Sequence, residues 1–266
     1  MKTPASGRRR GAGPRLFVRM PLTRGSVITL DHEASTRLTR VLRLEPGAPV
    51  TLFDGSGDEF PSRLEDRRGT VQILERVVTT GTSPLAITLL QGLCTAERMD
   101  WVVQKTTELG VATIMPVLSA HSTARTNPGH AASRLDHLHK VTIAACEQSG
   151  RNLLPCIAEP KELAACLAEL PAHPAAGRLL CTPGGHHALR DLPVPQDNLI
   201  LLVGPEGGLS AEEEQLARRH GFLDVNLGPR MLRTETAAMA AVAACQALWG
   251  DLGSASGRTL SYPCTP

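Results

Sequence analysis

Aromatic residues make up only 3% of this 266-residue chain: four Phe, two Trp and one Tyr. So few rings argue against stacking of bases on an aromatic platform as a main binding mode. No apolar run approaches the ~20 residues of a bilayer span, and the basic start, MKTPASGRRRGAGPR, lacks the apolar stretch of a secretory signal. Seven cysteines (94, 146, 156, 166, 181, 245 and 264) form no CxxC pair and are odd in number. Neither a disulfide framework nor a zinc site is expected, and a reducing cytoplasm fits best. His137 with His139, and His186 with His187, have no Cys or acid at ligand spacing, so they read as surface or structural residues and no metal is expected. The chain also has no GxxxxGK[ST] and no strand-linked GxGxxG, which excludes two common phosphate-cradling turns.

Hydrophobic residues at 42% and charged residues at 20% are ordinary for a soluble globular protein, and the length suits two domains. The net charge of +2 is unevenly placed. Residues 1–80 hold 14 Lys and Arg against 9 Asp and Glu, whereas the remainder is acidic by 17 to 14. The basic end is a candidate nucleic-acid face. Residues 1–14 read either as a solvated tail or as an electrostatic RNA-binding arm.

From Arg15 to about Val78 the chain reads as short strands (RLFVRM, SVITL, APVTLFD and TVQILERVV) with turns at EPG, DGSG and RRG, which predicts a small β-barrel. One helical stretch, HEASTRLTRVLRL, interrupts them. It places Arg37, Arg40 and Arg43 three apart, on one helix face, as a solvated face or a phosphate-gripping stripe. TTGTSPL (79–85) reads as a linker. Beyond it strands and helices alternate: AITLLQGL, ERMDWVVQKTTELG, ATIMPVL, a helix over about 131–148, KELAACLAEL, RLLCT and NLILLV. A helix opening at Ser210, FLDVNL and the alanine-rich TETAAMAAVAACQALW follow. Apolar strands between helices predict a parallel sheet covered on both faces, so the fold class is α/β. Residues 254–266 read as a tail.

Ligands of open α/β sheets gather at the carboxyl ends of strands. Three such ends fall at Thr182–Gly185, Gly204–Gly208 and Gly228–Arg233. The second, LLVGPEGGLSAEEE, puts a carboxylate, Glu206, at the centre of a glycine turn. An anion there opposes phosphate and suits a ligand that is neutral or cationic at the point of contact, such as S-adenosylmethionine. Gly207 and Gly208 allow close backbone approach. The competing reading is an ordinary strand-to-helix turn with a solvent-facing Glu.

With LGPRMLRTETAAMAA (227–241), the glycine turn resembles the cofactor-binding motifs of SPOUT methyltransferases. RVLRLEPG, TLFDGSG, QKTTELGV and AACEQSGRN extend the likeness, in order, from about residue 15 to Gly253. The set is similar to the ribosomal RNA small-subunit methyltransferase E family. That resemblance implies a PUA-like RNA-binding β-barrel over 15–78 and an α/β SPOUT domain over 84–253 tied in a deep trefoil knot. It also implies a homodimer binding S-adenosylmethionine and methylating N3 of one uridine in 16S rRNA during small-subunit assembly. Another RNA target, such as a ribose 2′-hydroxyl, and a non-catalytic RNA-binding module are the alternatives. Cofactor-binding candidates are Thr182, Leu202, Gly204, Glu206, Gly207, Leu227, Gly228, Met231, Leu232 and Thr234.

Uracil N3 is protonated at neutral pH and must lose that proton to become nucleophilic. The resulting anion spreads over O2 and O4, and an arginine fork suits it. Arg233 is the first candidate for that role, with Glu235, Glu206, Arg151 and Glu147 as further polar candidates. Structural ion pairing is the competing role for each.

Overall fold

A computed structural model describes residues 13–79, 83–122, 128–170, 177–196 and 198–253. Most of the basic tail, the centre of the expected linker and the stretch after Gly253 lie outside the described residues. The chain divides into two compact units, one of Met1–Thr79 with Cys146–Leu153 and one of Thr80–Ala145 with Leu154–Pro266.

In the first unit, β1 (Arg15–Phe17), β2 (Val27–Thr29), β3 (Pro49–Phe53), β4 (Phe60–Leu64) and β5 (Thr70–Ile73) form one sheet in the order β1-β3-β4-β5-β2. Its core is Leu16, Leu38, Val50, Leu52, Phe60, Leu64, Val71 and Ile73. Strand β4 has no counterpart in the sequence reading, because Pro61 and the polar Ser62-Arg63 pair mask its alternation. It is nonetheless in register, Leu52 opposite Phe60. The expected barrel is a curled, open sheet: its edge strands β1 and β2 have three residues each and do not pair with one another.

The predicted helix after Asp31 is shorter than expected. Asp31 caps α1 (His32–Thr36) by accepting the Ala34 N–H at 2.8 Å, and a wider π turn follows over Arg37–Val41. The Leu42 N–H reaches back to the Arg37 carbonyl and Leu44 to Leu38, so Leu38 is pulled into the core. Arg43 lies past the helix at φ 52°.

The second unit contains β6 (Ala86–Gly92), α2 (Ala96–Glu108), β7 (Thr113–Leu118), α3 (Pro128–Ser149), β8 (Cys156–Ile157), β9 (Lys161–Glu162), α4 (Leu163–Glu169) and β10 (Gly177–Cys181). β11 (His187–Ala188), β12 (Asn198–Val203), α5 (Ala211–Arg219), β13 (Leu223–Asn226) and α6 (Thr234–Trp249) complete it. Helix α3 ends within the segment that belongs to the first unit. The strands run parallel in the order β11-β13-β10-β12-β6-β7-β8, with β9 also on β7.

Both faces of this sheet are covered, as the unbroken apolar strands require. Leu199, Leu201 and Val203 of β12 join one core with Ile87, Leu89, Met99, Val102, Ala238 and Val242. Ile200 and Leu202, on alternate positions, join the other with Leu90, Leu167, Ala217 and Phe222. Met99, Val102, Val103 and Thr106 form the buried face of α2 at helical spacing. Ser210 and Glu213 form the predicted reciprocal cap of α5. Among the described residues no helix is long and apolar enough to cross a membrane.

Candidate active site

Strands β12, β10 and β13 are neighbours and parallel, so the turns leaving their carboxyl ends emerge side by side. They enclose a cleft of about 760 Å³, within the usual range for a small-molecule site. All three segments anticipated from the sequence line it.

The turn after β12 is closed by the Gly208 N–H donating to the Pro205 carbonyl at 2.9 Å. Gly208 sits at φ 72°, where a side chain is strained. A Cβ on Gly207 would lie 2.8 Å from His121 Cβ, so the turn is packed against residues beyond its own strand and helix. Thr234, the first residue of α6, is buried; its Oγ1 donates to the Gly204 carbonyl at 2.6 Å and accepts from Gln91 Nε2 at 2.9 Å. The start of α6 is thereby stitched to the glycine turn and to the end of β6. Thr182 Oγ1 donates to Glu214 at 2.9 Å, and Arg218 pairs with the same carboxylate at 2.7 Å.

Glu206 accepts the Thr95 N–H at 3.1 Å and pairs with Arg98 at 2.9 Å. Burial pushes its carboxyl upward, but the Thr95 N–H, its own N–H and the Arg98 guanidinium outweigh that and hold it below its ordinary value. Glu206 is thus a tether as well as a lining residue, its charge shared with Arg98. The charge argument against phosphate is thereby weakened, since Arg98 offsets Glu206 and Arg230 and Arg233 also line the cleft.

Of the residues expected to hold cofactor, Thr182, Gly204, Glu206, Gly207, Leu227, Gly228, Met231, Leu232 and Thr234 line the cleft. Leu202 does not. Strand alternation turns it to the opposite face, into the core with Leu90 and Phe222, and Val203 takes the lining position. Arg233 lines the cleft, is exposed, and makes no ion pair among the described residues. Its carbonyl accepts the Ala237 N–H at 2.8 Å, which fixes its backbone at the helix start.

Glu235 is not among the lining residues. Its side chain is turned toward Arg98, with Oε2 at 3.8 Å from Arg98 Nε, and that buried oxygen accepts no hydrogen bond among the described residues. Arg151 and Glu147 belong to the first unit. There Glu147 is a structural tie, accepting the Phe17 N–H at 3.1 Å and pairing with Arg37.

The stripe of arginines is not a single helix face. The π turn changes the angular step between Arg37 and Arg40, and Arg43 has left the helix. All three are exposed, but Arg37 is engaged by Glu147. Arg98 was missed from the sequence, because nothing in ERMDWVVQK distinguishes it from other surface charges of an amphipathic helix. Among the described residues no group of acids, histidines and cysteines could hold a metal ion.

Residues 81–246 match the RNA methyltransferase domain family. A ribosomal RNA small subunit methyltransferase E from Buchnera aphidicola is 31% identical over 90% of this chain and 98% of that protein. One from Synechocystis is 33% identical over 84% of this chain and 74% of that protein. The crystal structure of a ribosomal RNA small subunit methyltransferase E from Neisseria gonorrhoeae, bound to S-adenosylmethionine, superposes with a TM-score of 0.83 at 39% identity, covering 90% of this chain and 98% of that one. In sequence along most of its length, and in fold, the chain belongs to the ribosomal RNA small subunit methyltransferase E family.

Proposed function

We propose that this chain binds S-adenosylmethionine in the cleft between the three turns and methylates N3 of one uridine in 16S rRNA, acting as a homodimer on the small ribosomal subunit. The observation that carries the reading is the cleft itself: two glycine-bearing turns and a third strand end converge on it, with Arg233, which makes no ion pair among the described residues, at its rim. The residues present fit such a cofactor. Gly204 and Gly207 let the turn pack tightly, where a Cβ would come within 3.1 Å of the Gly208 backbone and 2.8 Å of His121, and Val203, Leu227 and Leu232 offer apolar lining. When bound, S-adenosylmethionine supplies an electrophilic methyl group on a sulfonium centre.

The residues of the chain then have separable tasks. Arg233, anchored by its backbone at the start of α6, offers a guanidinium to the O2 and O4 oxygens on which charge grows as N3 loses its proton. Glu206 is a weak base in its tethered state, so the chain assists by stabilising the anion more than by taking the proton. Arg40 and Arg43 of the curled sheet unit contact RNA phosphate, supported by the basic excess of residues 1–80. The deep trefoil knot of the family belongs to the same reading, supported by the family membership alone.

The test is mass mapping of modified nucleosides in 16S rRNA from cells with and without the protein, followed by methylation of purified small subunits. Loss and restoration of a single 3-methyluridine is expected. Loss of a 2′-O-methyl group instead, or no change in 16S rRNA, would overturn the assignment.

A further inference from the structure

Arg98 occupies a junction of three segments. It stands in the first turn of α2, lines the cleft, and its guanidinium lies 2.9 Å from Glu206 of the glycine turn and 3.8 Å from Glu235 of α6. Its side chain is 34% exposed, against 18% for Glu206 and 14% for Glu235, so the two carboxylates are more withdrawn from water than the cation between them. The Thr95 N–H, just ahead of α2, meets the same Glu206 oxygen at 3.1 Å. Two withdrawn carboxylates around one cation repel each other when the cation is removed. The turn would then lose its ionic tie to α2, keeping the Thr95 N–H, and be pushed from α6.

We propose that Arg98 is a positioning residue: by bridging Glu206 and Glu235 it holds the glycine turn in its ligand-accepting shape before any cofactor arrives. It touches neither the uracil nor the methyl group, and it acts through Glu206. The inference rests on the cofactor reading above, since it concerns how the proposed cofactor turn is kept in place.

Three consequences separate this role from a general contribution to folding. Calorimetry with S-adenosylhomocysteine should show Arg98→Ala weakening binding by about tenfold or more, the usual scale for losing hydrogen bonds to a charged group. Arg98→Lys should recover part of it, because a point charge can satisfy one carboxylate but cannot bridge two. Kinetically, the KM for S-adenosylmethionine should rise while kcat at saturation changes little. In a double-mutant cycle, Glu206→Gln should cost less in the Arg98→Ala background than in the parent, since the neutral amide also removes the repulsion with Glu235 that the missing cation leaves uncompensated.

Hydrogen exchange on the cofactor-free protein supplies an independent readout. Peptides covering 203–209 should exchange faster in Arg98→Ala and at an intermediate rate in Arg98→Lys. Equal costs of Glu206→Gln in both backgrounds, or unchanged exchange in this turn, would overturn the proposal. If Arg98→Ala fails to fold, Arg98→Lys and Glu206→Gln carry the same comparison. If the parent chain bound no S-adenosylhomocysteine, the functional reading would fall, while exchange would still decide whether Arg98 holds the turn.

Discussion

Thr234 donates to the carbonyl of Gly204 at 2.6 Å, joining residues thirty positions apart at the point where strand β12 gives way to the glycine turn. Thr234→Val should keep the side-chain shape but remove both this bond and the acceptor for Gln91. A buried polar group left unpaired costs about 1–3 kcal/mol, so denaturant unfolding should show a loss of that size. Thr234→Ser should restore most of it. Equal stability of the Val variant would show that the Gly204 carbonyl does not depend on this hydroxyl, since Gln91 Nε2 keeps the Gly92 carbonyl at 2.9 Å in either case.

Two adjacent glycines should respond differently to alanine. Gly208 has open space around its Cβ position but lies at φ 72°, so Gly208→Ala carries backbone strain of about 1 kcal/mol, and Gly208→Asn should be better tolerated. Gly207→Ala would bring a methyl within 2.8 Å of His121 Cβ, which must displace the neighbouring chain. Cofactor affinity should fall further for Gly207→Ala than for Gly208→Asn. A reversed order would refute the packing of the turn against His121.

The arginines of the first unit should separate into two kinds. Arg40→Ala and Arg43→Ala should each reduce the log–log salt slope of RNA binding by about 0.7–0.9, leaving thermal stability unchanged. Arg37→Ala should instead destabilise the fold by about 1 kcal/mol or more, since it strips the cation from Glu147, whose side chain is only 7% exposed. An unaltered salt slope for the first two would make them ordinary solvated charges.

Arg233→Ala should lower turnover by on the order of 100- to 1000-fold, the scale seen when an oxyanion contact is removed. The fold and S-adenosylhomocysteine binding should change little. Arg233→Lys should recover only part of the rate. The defect should ease as pH rises toward the uracil pKa, because a substrate already ionised needs less stabilisation. Loss of folding or of cofactor, with normal residual turnover, would reassign Arg233 to structure.

The tether at Glu206 has a defined pH dependence. Its carboxyl is held below its ordinary value of 4.5, so the stability it contributes is fully present above that pH and is lost as pH falls through the depressed folded-state value. Above pH 5 the parent should melt higher than Glu206→Gln, and acidification below 4.5 should close the gap. A gap that widens on acidification would reverse the assigned direction of the shift.

Much of the α/β unit is legible in the sequence because local chemistry and tertiary demand agree there. NLILLV is apolar at every position but the first, and only a strand covered on both faces accommodates that. Ser210 and Glu213 announce a helix start through bonds that close within four residues. The three strand ends that build the cleft, and Arg233 at its rim, were likewise visible, as turn chemistry and as a family likeness.

Tertiary structure decided whatever depends on which side a group faces or on partners far along the chain. Leu202 and Val203 are both apolar ends of one strand, yet alternation sends only Val203 to the cleft. A π turn, one residue wider than an α turn, dissolved the apparent arginine face. Strand β4 stayed hidden because its polar, proline-containing sequence makes sense only beside β3. Arg98 acquires its role because folding brings two carboxylates from residues 206 and 235 to a cation at residue 98. Charge complementarity over such separations exists only in space, where Coulomb attraction depends on distance and burial and not on position along the chain.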